Sequence, residues 1–162
     1  MKRGRRNAAG FTLIELIVAV TIVGLLAAIA MPAYSSYVLR TNRAVAKAML
    51  ADMAARQESY FVDRKIYGNL AALGVGAYLS RDNSTSATQT ANSIYKLSTG
   101  ALITTSACPA TGASGSVTAG GYTVAAQPVG TQVNDTGCVT LCLTSTGMRL
   151  ASAGTAANCW SR

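Results

Sequence analysis

A long apolar run near the N-terminus constrains the fold more than any other feature of the sequence. Residues 16–31, LIVAVTIVGLLAAIAM, contain Thr21 as their only polar side chain. Together with 11–14 they reach the roughly 20 residues that a helix needs to cross the hydrocarbon core of a bilayer. One carboxylate, Glu15, interrupts the run. The sequence therefore predicts a membrane helix that carries a residue disfavoured by lipid.

The charges on either side of the run predict its orientation. Four cations precede it and three follow within the next stretch of chain: Lys2, Arg3, Arg5 and Arg6 before, and Arg40, Arg43 and Lys47 after. Because cytoplasmic flanks carry the excess of Lys and Arg, we expect the N-terminal end inside the cell and the rest outside. The first four cations supply half of the net charge of +8, so basic composition alone does not indicate nucleic-acid binding.

Composition leaves three interpretations of the run open. A secretory signal would be cut after Ala28-Ile29-Ala30, and a plain anchor would not be cut. In the third interpretation a short leader is removed between Gly10 and Phe11, and the apolar segment stays with the mature chain. A carboxylate at the centre of a membrane helix costs about 2.5 to 3.5 kcal/mol, and less near its end. A secretory signal and a plain anchor both leave Glu15 unexplained, although a carboxylate at a helix N-terminus is favourable by itself.

The four cysteines indicate disulfides. They are even in number and lie in the last third of the chain, at Cys108, Cys138, Cys142 and Cys159. Following an export-competent segment, they favour two disulfides in an oxidising compartment. Zinc is disfavoured because the chain has no histidine and one close cysteine pair,. We therefore expect no metal and no cofactor, while three disulfide pairings stay open.

Beyond the apolar run the pattern predicts a continuing helix. Gly24 and Pro32 weaken it, and a proline inside a helix predicts a kink. Apolar residues then recur at spacings typical of one helical face, namely Tyr34, Val38, Val45, Met49, Met53 and Tyr60. Arg40, Arg43 and Lys47 form a basic stripe on another face. Acidic headgroups, DNA or an acid of a neighbouring subunit are alternative contacts for it, and we interpret it as solvated. The helix is predicted to end at 67, before Gly68-Asn69.

The remainder predicts a small sheet, so the fold class is α+β. Residues 68–92 are rich in Ser, Thr and Asn and predict a surface loop. Three segments are typical of strands, 93–105, 120–129 and 137–152. In the last, Val139, Leu141 and Leu143 are predicted to share one face, and Cys138, Thr140 and Cys142 the other. A turn at Thr146-Gly147 makes this segment a hairpin, which gives about four antiparallel strands.

The sequence argues against an enzyme. It lacks histidine, a G-x-S-x-G nucleophile motif and a phosphate-binding loop, and its six acids are scattered,.

The motif GFTLIEL at 10–16, after a short basic leader, resembles the processing signature of type IV pilins and their pseudopilin relatives. The resemblance implies that a prepilin peptidase cuts after Gly10 and methylates Phe11. It also implies that Glu15 pairs with the Phe11 amine of a neighbouring subunit, so that its cost in lipid becomes an assembly signal. Residues 32–74 are similar to the helix of type IVa pilins, and most like the minor pilins.

The C-terminal region resembles the same family. The stretch CVTLCLTSTG, followed by NCW near the end, is similar to the close of minor type IVa pilins. The resemblance implies a disulfide between Cys138 and Cys159. Cys108 and Cys142 would then form a second one, which the resemblance does not itself supply.

The resemblance implies an organisation and a function. Residues 1–10 are the leader, 11–67 the N-terminal helix with 11–34 as its membrane or filament-core part, and 68–162 the globular head. The expected protein is a subunit of a type IV pilus, held in the inner membrane with its head in the periplasm until it joins a filament. Such filaments serve surface attachment and twitching motility. The expected partners are other pilin subunits, the prepilin peptidase, the assembly machinery and membrane lipid.

Two alternatives remain. One is a type II secretion pseudopilin, although members of that class generally lack the tail disulfide. The other is a competence pilin that binds DNA through exposed cations, for which Arg64, Lys65, Arg81, Lys96, Arg149 and Arg162 are available. Aromatic residues do not alternate with these cations as in a strand-binding groove.

Overall fold

The computed structural model describes residues 11–113, 115 and 117–161 of the chain. Their contacts form two compact units, of which the first ends at Val38 and the second begins at Leu39. The predicted division after 67 separates the helix from the head by element. The contacts instead group the second half of the helix with the head.

Helix α1 comprises Leu13–Arg64 and passes through both units. It ends three residues before the predicted position because Lys65 adopts a left-handed φ of 58°, which does not continue an α-helix. The buried Gln57 side chain then holds the exit, since its amide nitrogen donates to the carbonyl of Gly68 and its oxygen accepts from the Gly68 N–H, at 2.7 and 2.8 Å. The helix assignment continues past Gly24 and Pro32, and a kink there stays a prediction.

The head contains a six-stranded antiparallel sheet of order β2-β1-β3-β4-β5-β6. Its strands are β1 (Tyr78–Ser80), β2 (Thr85–Ser86), β3 (Ser93–Gly100), β4 (Thr123–Pro128), β5 (Leu141–Thr144) and β6 (Arg149–Ala151). A 3-10 helix, Gly130–Asn134, follows β4, and a short helix α2, Ala156–Trp160, follows β6. The α+β class is thus confirmed.

The sheet has two more strands than the four predicted. The extra pair, β1 and β2, lies in the region predicted as a loop and has three and two residues. Its turn is built by polar side chains, because the Asp82 carboxylate accepts from both the N–H and the hydroxyl of Ser84 and Asn83 adopts a φ of 65°. Leu79 is fully buried and anchors the hairpin. Strands this short leave no period-two pattern in the sequence.

One face of the sheet packs against the second half of α1. Met49, Leu50 and Met53 of the helix share a core with residues of β1, β3, β4 and β5. The sheet residues include Leu79, Leu97, Val124, Ala126 and Leu141. Of the predicted helical face, Met49 and Met53 are buried, whereas Tyr34, which lies in the first unit, is 71% exposed.

The other face of the sheet carries a smaller apolar cluster. Ala125, Cys142 and Leu150 alternate with the residues of the first face and pack with Cys108 and Ala113. A disulfide joins Cys108 to Cys142 here, with Cα atoms 5.7 Å apart. The predicted alternation therefore holds for Leu141, Cys142 and Leu143. Cys138 lies before β5 and packs on the helix side, because the strand begins at Leu141, four residues after the predicted start at 137.

Candidate functional site

The apolar half of α1 is uncovered in the first unit. Thirteen large apolar side chains between Phe11 and Met31 are each more than half exposed, from 51% for Val18 to 86% for Phe11. The helix is long and apolar enough to cross a membrane by length and composition. This surface is the first candidate site, because none of the described residues of the unit buries it.

The first turn of α1 contains Glu15, and Phe11 lies two residues before the helix begins. The hydroxyl of Thr12 accepts a hydrogen bond from the Glu15 N–H at 3.3 Å. This is the N-terminal half of a capping box, whose signature in the sequence is Thr followed three residues later by Glu. The Glu15 carboxylate belongs to neither salt bridge among the described residues. Gly10 lies outside the described residues.

The predicted basic stripe is only partly solvated. Arg43 forms two hydrogen bonds to the Asp135 carboxylate, Nε to Oδ2 at 2.5 Å and Nη2 to Oδ1 at 2.6 Å. Lys47 donates to the carbonyl oxygen of Ser161 at 2.8 Å and more weakly to that of Trp160. Arg40 is exposed. The interpretation as a solvated face is therefore wrong for Arg43 and Lys47, which hold the 3-10 region and the C-terminal tail on the helix.

Behind Arg43 lies a buried polar network that sequence reasoning missed. The Asn42 amide donates to Gln132 at 2.9 Å, and the Gln132 amide donates to Asp135 at 3.1 Å and to the carbonyl of Leu39 at 3.3 Å. Asn42, Gln132 and Asp135 are at most 4% exposed. Burial, followed by the charge of Asp135, raises the pKa of the neighbouring Tyr95. The network fixes α1 to the 3-10 helix.

The C-terminal tail is fastened next to the same helix surface. A disulfide joins Cys138 to Cys159 with Cα atoms 5.6 Å apart, the pairing that the resemblance implied. The Trp160 indole N–H donates to the carbonyl of Leu150 at 3.0 Å. The Arg149 guanidinium lies 5.8 Å from the centre of the indole ring, within the range of a cation–π contact,. The tail therefore has a defined position in the second unit.

Helix and tail together enclose a basic cleft, the second candidate site. It has a volume of about 320 Å³ and is lined by Arg40, Arg43, Lys47, Asn158, Cys159 and Ser161. Burial and then the cations Arg43 and Arg149 lower the pKa of Lys47. The only acid close to this group of cations in the described contacts is Asp135, which Arg43 already binds. The cleft is therefore electropositive and suited to an anion.

Metal-ligating side chains are scattered in the part of the chain that the structure describes. Within the residues described, no three Cys, Asp or Glu side chains come together as metal ligands, and the four cysteines are in disulfides. Five of the cations considered for DNA binding are exposed but lie on separate elements: Arg64 and Lys65 at the end of α1, Arg81 after β1, Lys96 in β3 and Arg149 in β6. The sixth, Arg162, lies outside the described residues. The structure does not bring them into one track.

Family comparisons cover most of the chain. A family model described as "Type IV minor pilin ComP, DNA uptake sequence receptor" matches residues 32–144. A second model, the "Prokaryotic N-terminal methylation motif", matches residues 5–31. The two matches meet at the end of the apolar run.

Individual relatives share a shorter segment. The fimbrial protein EcpC of Eikenella corrodens is 39% identical over 69 residues, which are 42% of this chain and 45% of the relative. The type IV wide pilus major component PilA4 of Thermus thermophilus is 44% identical over 69 residues, 42% of this chain and 53% of the relative. The type IV major pilin protein PilA of Myxococcus xanthus is 40% identical over 62 residues, which are 38% of this chain and 28% of the relative. The chain thus spans about half the length of these relatives, or less.

Proposed function

The chain belongs to the family of type IV minor pilins, and we propose that it is a minor structural subunit of a type IV pilus, processed after Gly10 and assembled through the apolar half of α1. The observation that carries the proposal is the uncovered apolar surface of 11–31, joined to a second unit with its own closed core. The match to the N-terminal methylation motif supports processing at this end of the chain.

The apolar surface needs a partner for energetic reasons. Burying one large apolar side chain contributes about 1.5 to 3 kcal/mol. For the thirteen exposed side chains the sum is on the order of 20 kcal/mol, more than the typical net stability of a domain of about 5 to 15 kcal/mol. Lipid holds the helix before assembly, and neighbouring pilin helices hold it in the filament. The chain therefore resides in the inner membrane with its head in the periplasm and moves to the filament.

Glu15 directs this transfer. In lipid its carboxylate has no cation in the described part of its own chain, and an uncompensated charge in a membrane helix is costly. A neighbouring subunit whose leader has been removed presents the amine of Phe11, which pairs with the carboxylate and sets the axial register. The prepilin peptidase and the assembly machinery of the inner membrane are the further partners of this step.

A minor role is favoured over a major one. The model that covers residues 32–144, and so most of the head, is that of a minor pilin, whereas the major pilins share only 62 to 69 residues with this chain. The filament then serves attachment and twitching motility. The tail disulfide and this match favour a pilus subunit over a secretion pseudopilin.

The test is the composition of sheared filaments measured by quantitative mass spectrometry. The chain is expected in them at a small fraction of the major pilin, and Glu15→Ala should remain in the membrane and be lost from filaments. Asp63→Ala, which removes an exposed acid in the second half of α1, is the matched control and should assemble normally. Normal incorporation of the Glu15→Ala chain would refute the role of this carboxylate, and absence of the unaltered chain from filaments would refute the function.

A second candidate is DNA binding, favoured by the description of the matching family as a DNA uptake sequence receptor. The exposed cations outside the basic cleft would carry it. A gel shift with the full chain in neutral detergent tests it, because phosphate contacts weaken steeply with salt. No retardation of a duplex at low salt would exclude direct binding.

A further inference from the structure

The basic cleft retains hydrogen-bond donors that no described residue uses. Arg43 uses two of its five N–H donors in hydrogen bonds to Asp135,. Lys47 directs its ammonium to two tail carbonyls, one of them at 3.5 Å. Arg40 takes part in neither of the two salt bridges of the described residues. Two guanidinium groups therefore face one concavity with unused donors, an arrangement that suits the planar, multidentate recognition of phosphate oxygens.

The shape of the cleft limits what it can take. A volume of about 320 Å³, closed on one side by the tail residues Asn158 and Ser161, fits one phosphate group with its nearest substituents. A nucleic-acid duplex would instead require cations spaced along a track of phosphates. The cations outside the cleft lie on separate elements and do not extend it. The ligand is thus a single anionic group.

The position of the cleft in the chain favours a lipid as the source of that group. Arg40 follows the proposed membrane part, 11–34, by six residues. Six residues span at most about 20 Å even when fully extended, so Arg40 lies no further than this from the end of the proposed membrane part. Cations placed next to a membrane segment are attracted by anionic lipids.

A second copy of the chain is a poorer partner. The chain carries 14 cations and 6 acids, and two of the acids, Asp52 and Asp135, already form salt bridges with Arg56 and Arg43. A second copy of the chain therefore offers few free carboxylates to an electropositive cleft. Burial and neighbouring cations lower the pKa of Lys47, and an anion in the cleft would oppose the effect of those cations.

We propose that the basic cleft binds the phosphate group of an anionic phospholipid headgroup while the chain is held in the membrane before assembly. That binding occurs before assembly rests on the proposed function, since it requires a pool of subunits held in the membrane. The binding itself involves no covalent step. Headgroup binding keeps the head at the membrane surface until the subunit leaves for the filament.

The test uses the full chain in neutral detergent, titrated with monomeric dihexanoyl phosphatidylglycerol or with dihexanoyl phosphatidylcholine. Binding is measured by calorimetry and by the fluorescence of Trp160, the single tryptophan. The anionic lipid should bind at least about fivefold more tightly than the zwitterionic one. Arg40→Ala should lower the affinity for the anionic lipid by about fivefold, which is the contribution of one cation near an anionic surface.

Arg81→Ala is the matched control, because Arg81 is exposed on a turn outside the cleft and its removal should leave the affinity unchanged. Equal binding of the two lipids, or equal effects of the two substitutions, would overturn the proposal. Inorganic phosphate that binds as tightly as the lipid would assign the cleft to a free anion, and a short duplex that binds more tightly would assign it to nucleic acid. Each of these results overturns the lipid site but leaves the filament experiment, and with it the proposed function, unaffected.

Discussion

Removal of Arg43 should destabilise the head far more than its place in a basic stripe suggests. In Arg43→Ala the Asp135 carboxylate, 3% exposed, loses two charge-assisted hydrogen bonds and keeps the Gln132 amide at 3.1 Å. Breaking a buried ion pair by removing one partner costs about 3 to 5 kcal/mol. Because the Arg43 side chain is 21% exposed, the pair is partly hydrated, and we expect about 3 kcal/mol, the low end of that range.

Substitution of the acidic partner, Asp135, should lower the unfolding free energy by less. In Asp135→Ala the guanidinium of Arg43 can turn toward solvent, so we expect about 2 kcal/mol. Arg43→Ala with Asp135→Ala should cost less than the sum of the two, because the double variant leaves no buried charge unpaired. Asp52→Ala is the control, since it breaks the exposed pair with Arg56, whose side chains are 48% and 47% exposed, and should cost about 0.5 kcal/mol or less.

The assay is urea unfolding of the full chain in neutral detergent, followed by the fluorescence of Trp160. A loss of about 3 kcal/mol should lower the urea midpoint by about 1 to 3 M, because the unfolding free energy of a small protein falls by about 1 to 3 kcal/mol per molar urea. If Arg43→Ala and Asp52→Ala shift the unfolding midpoint equally, the network does not hold the head as described. Additive effects of Arg43→Ala and Asp135→Ala would likewise contradict a direct ion pair.

Three further predictions concern the stability of the head. Replacing Cys138 and Cys159 together by Ser opens a loop of 21 residues and should lower the unfolding free energy by about 3.3 kcal/mol on the chain-entropy model, measured against the unaltered chain in urea. Gly154→Ala should cost at least about 2 kcal/mol more than Gly147→Ala in the same assay. Both glycines have positive φ, 70° and 81°, but only at Gly154 would a Cβ overlap a backbone carbonyl; equal costs would contradict the packing. Burial raises the pKa of Tyr95, so the unfolded chain releases this proton first and stability should fall as pH rises above about 10, by up to about 1.4 kcal/mol per pH unit. Unfolding midpoints measured between pH 9 and 11 should fall less steeply in Tyr95→Phe, and an unchanged slope would refute this origin.

The parts of the fold that sequence reasoning predicted depend on strong, local signals. The apolar run is long enough to identify its helix by length alone, and the alternation around Leu141, Cys142 and Leu143 identifies the faces of β5. The tail pairing came from a resemblance, not from spacing. The capping residue Thr12 was within reach of the same local reasoning, because its motif lies in four consecutive residues.

The parts that sequence reasoning missed depend on distant neighbours. Three buried amide side chains are of a type that is usually exposed: Asn42, Gln57 and Gln132. Their hydrogen bonds are made by partners that are not adjacent in sequence, since Asn42 bonds to Gln132 and Gln57 to the backbone of Gly68. The local sequence predicts a solvated Arg43, because its partner, Asp135, lies 92 residues away. The basic cleft was missed because the C-terminal tail forms one of its walls. Only the folded chain brings these groups together.

The most direct test of the pilin assignment is the N-terminus of the chain recovered from purified filaments. Mass spectrometry of the N-terminal peptide should find a chain that begins with methylated Phe11 and retains Glu15 and the whole apolar run. A mature chain that begins at Met31 would contradict the account, because a secretory signal would then have been removed and no apolar helix would remain for assembly. A chain that still begins at Met1 in filaments would contradict it as well, since the amine proposed to pair with Glu15 would not exist.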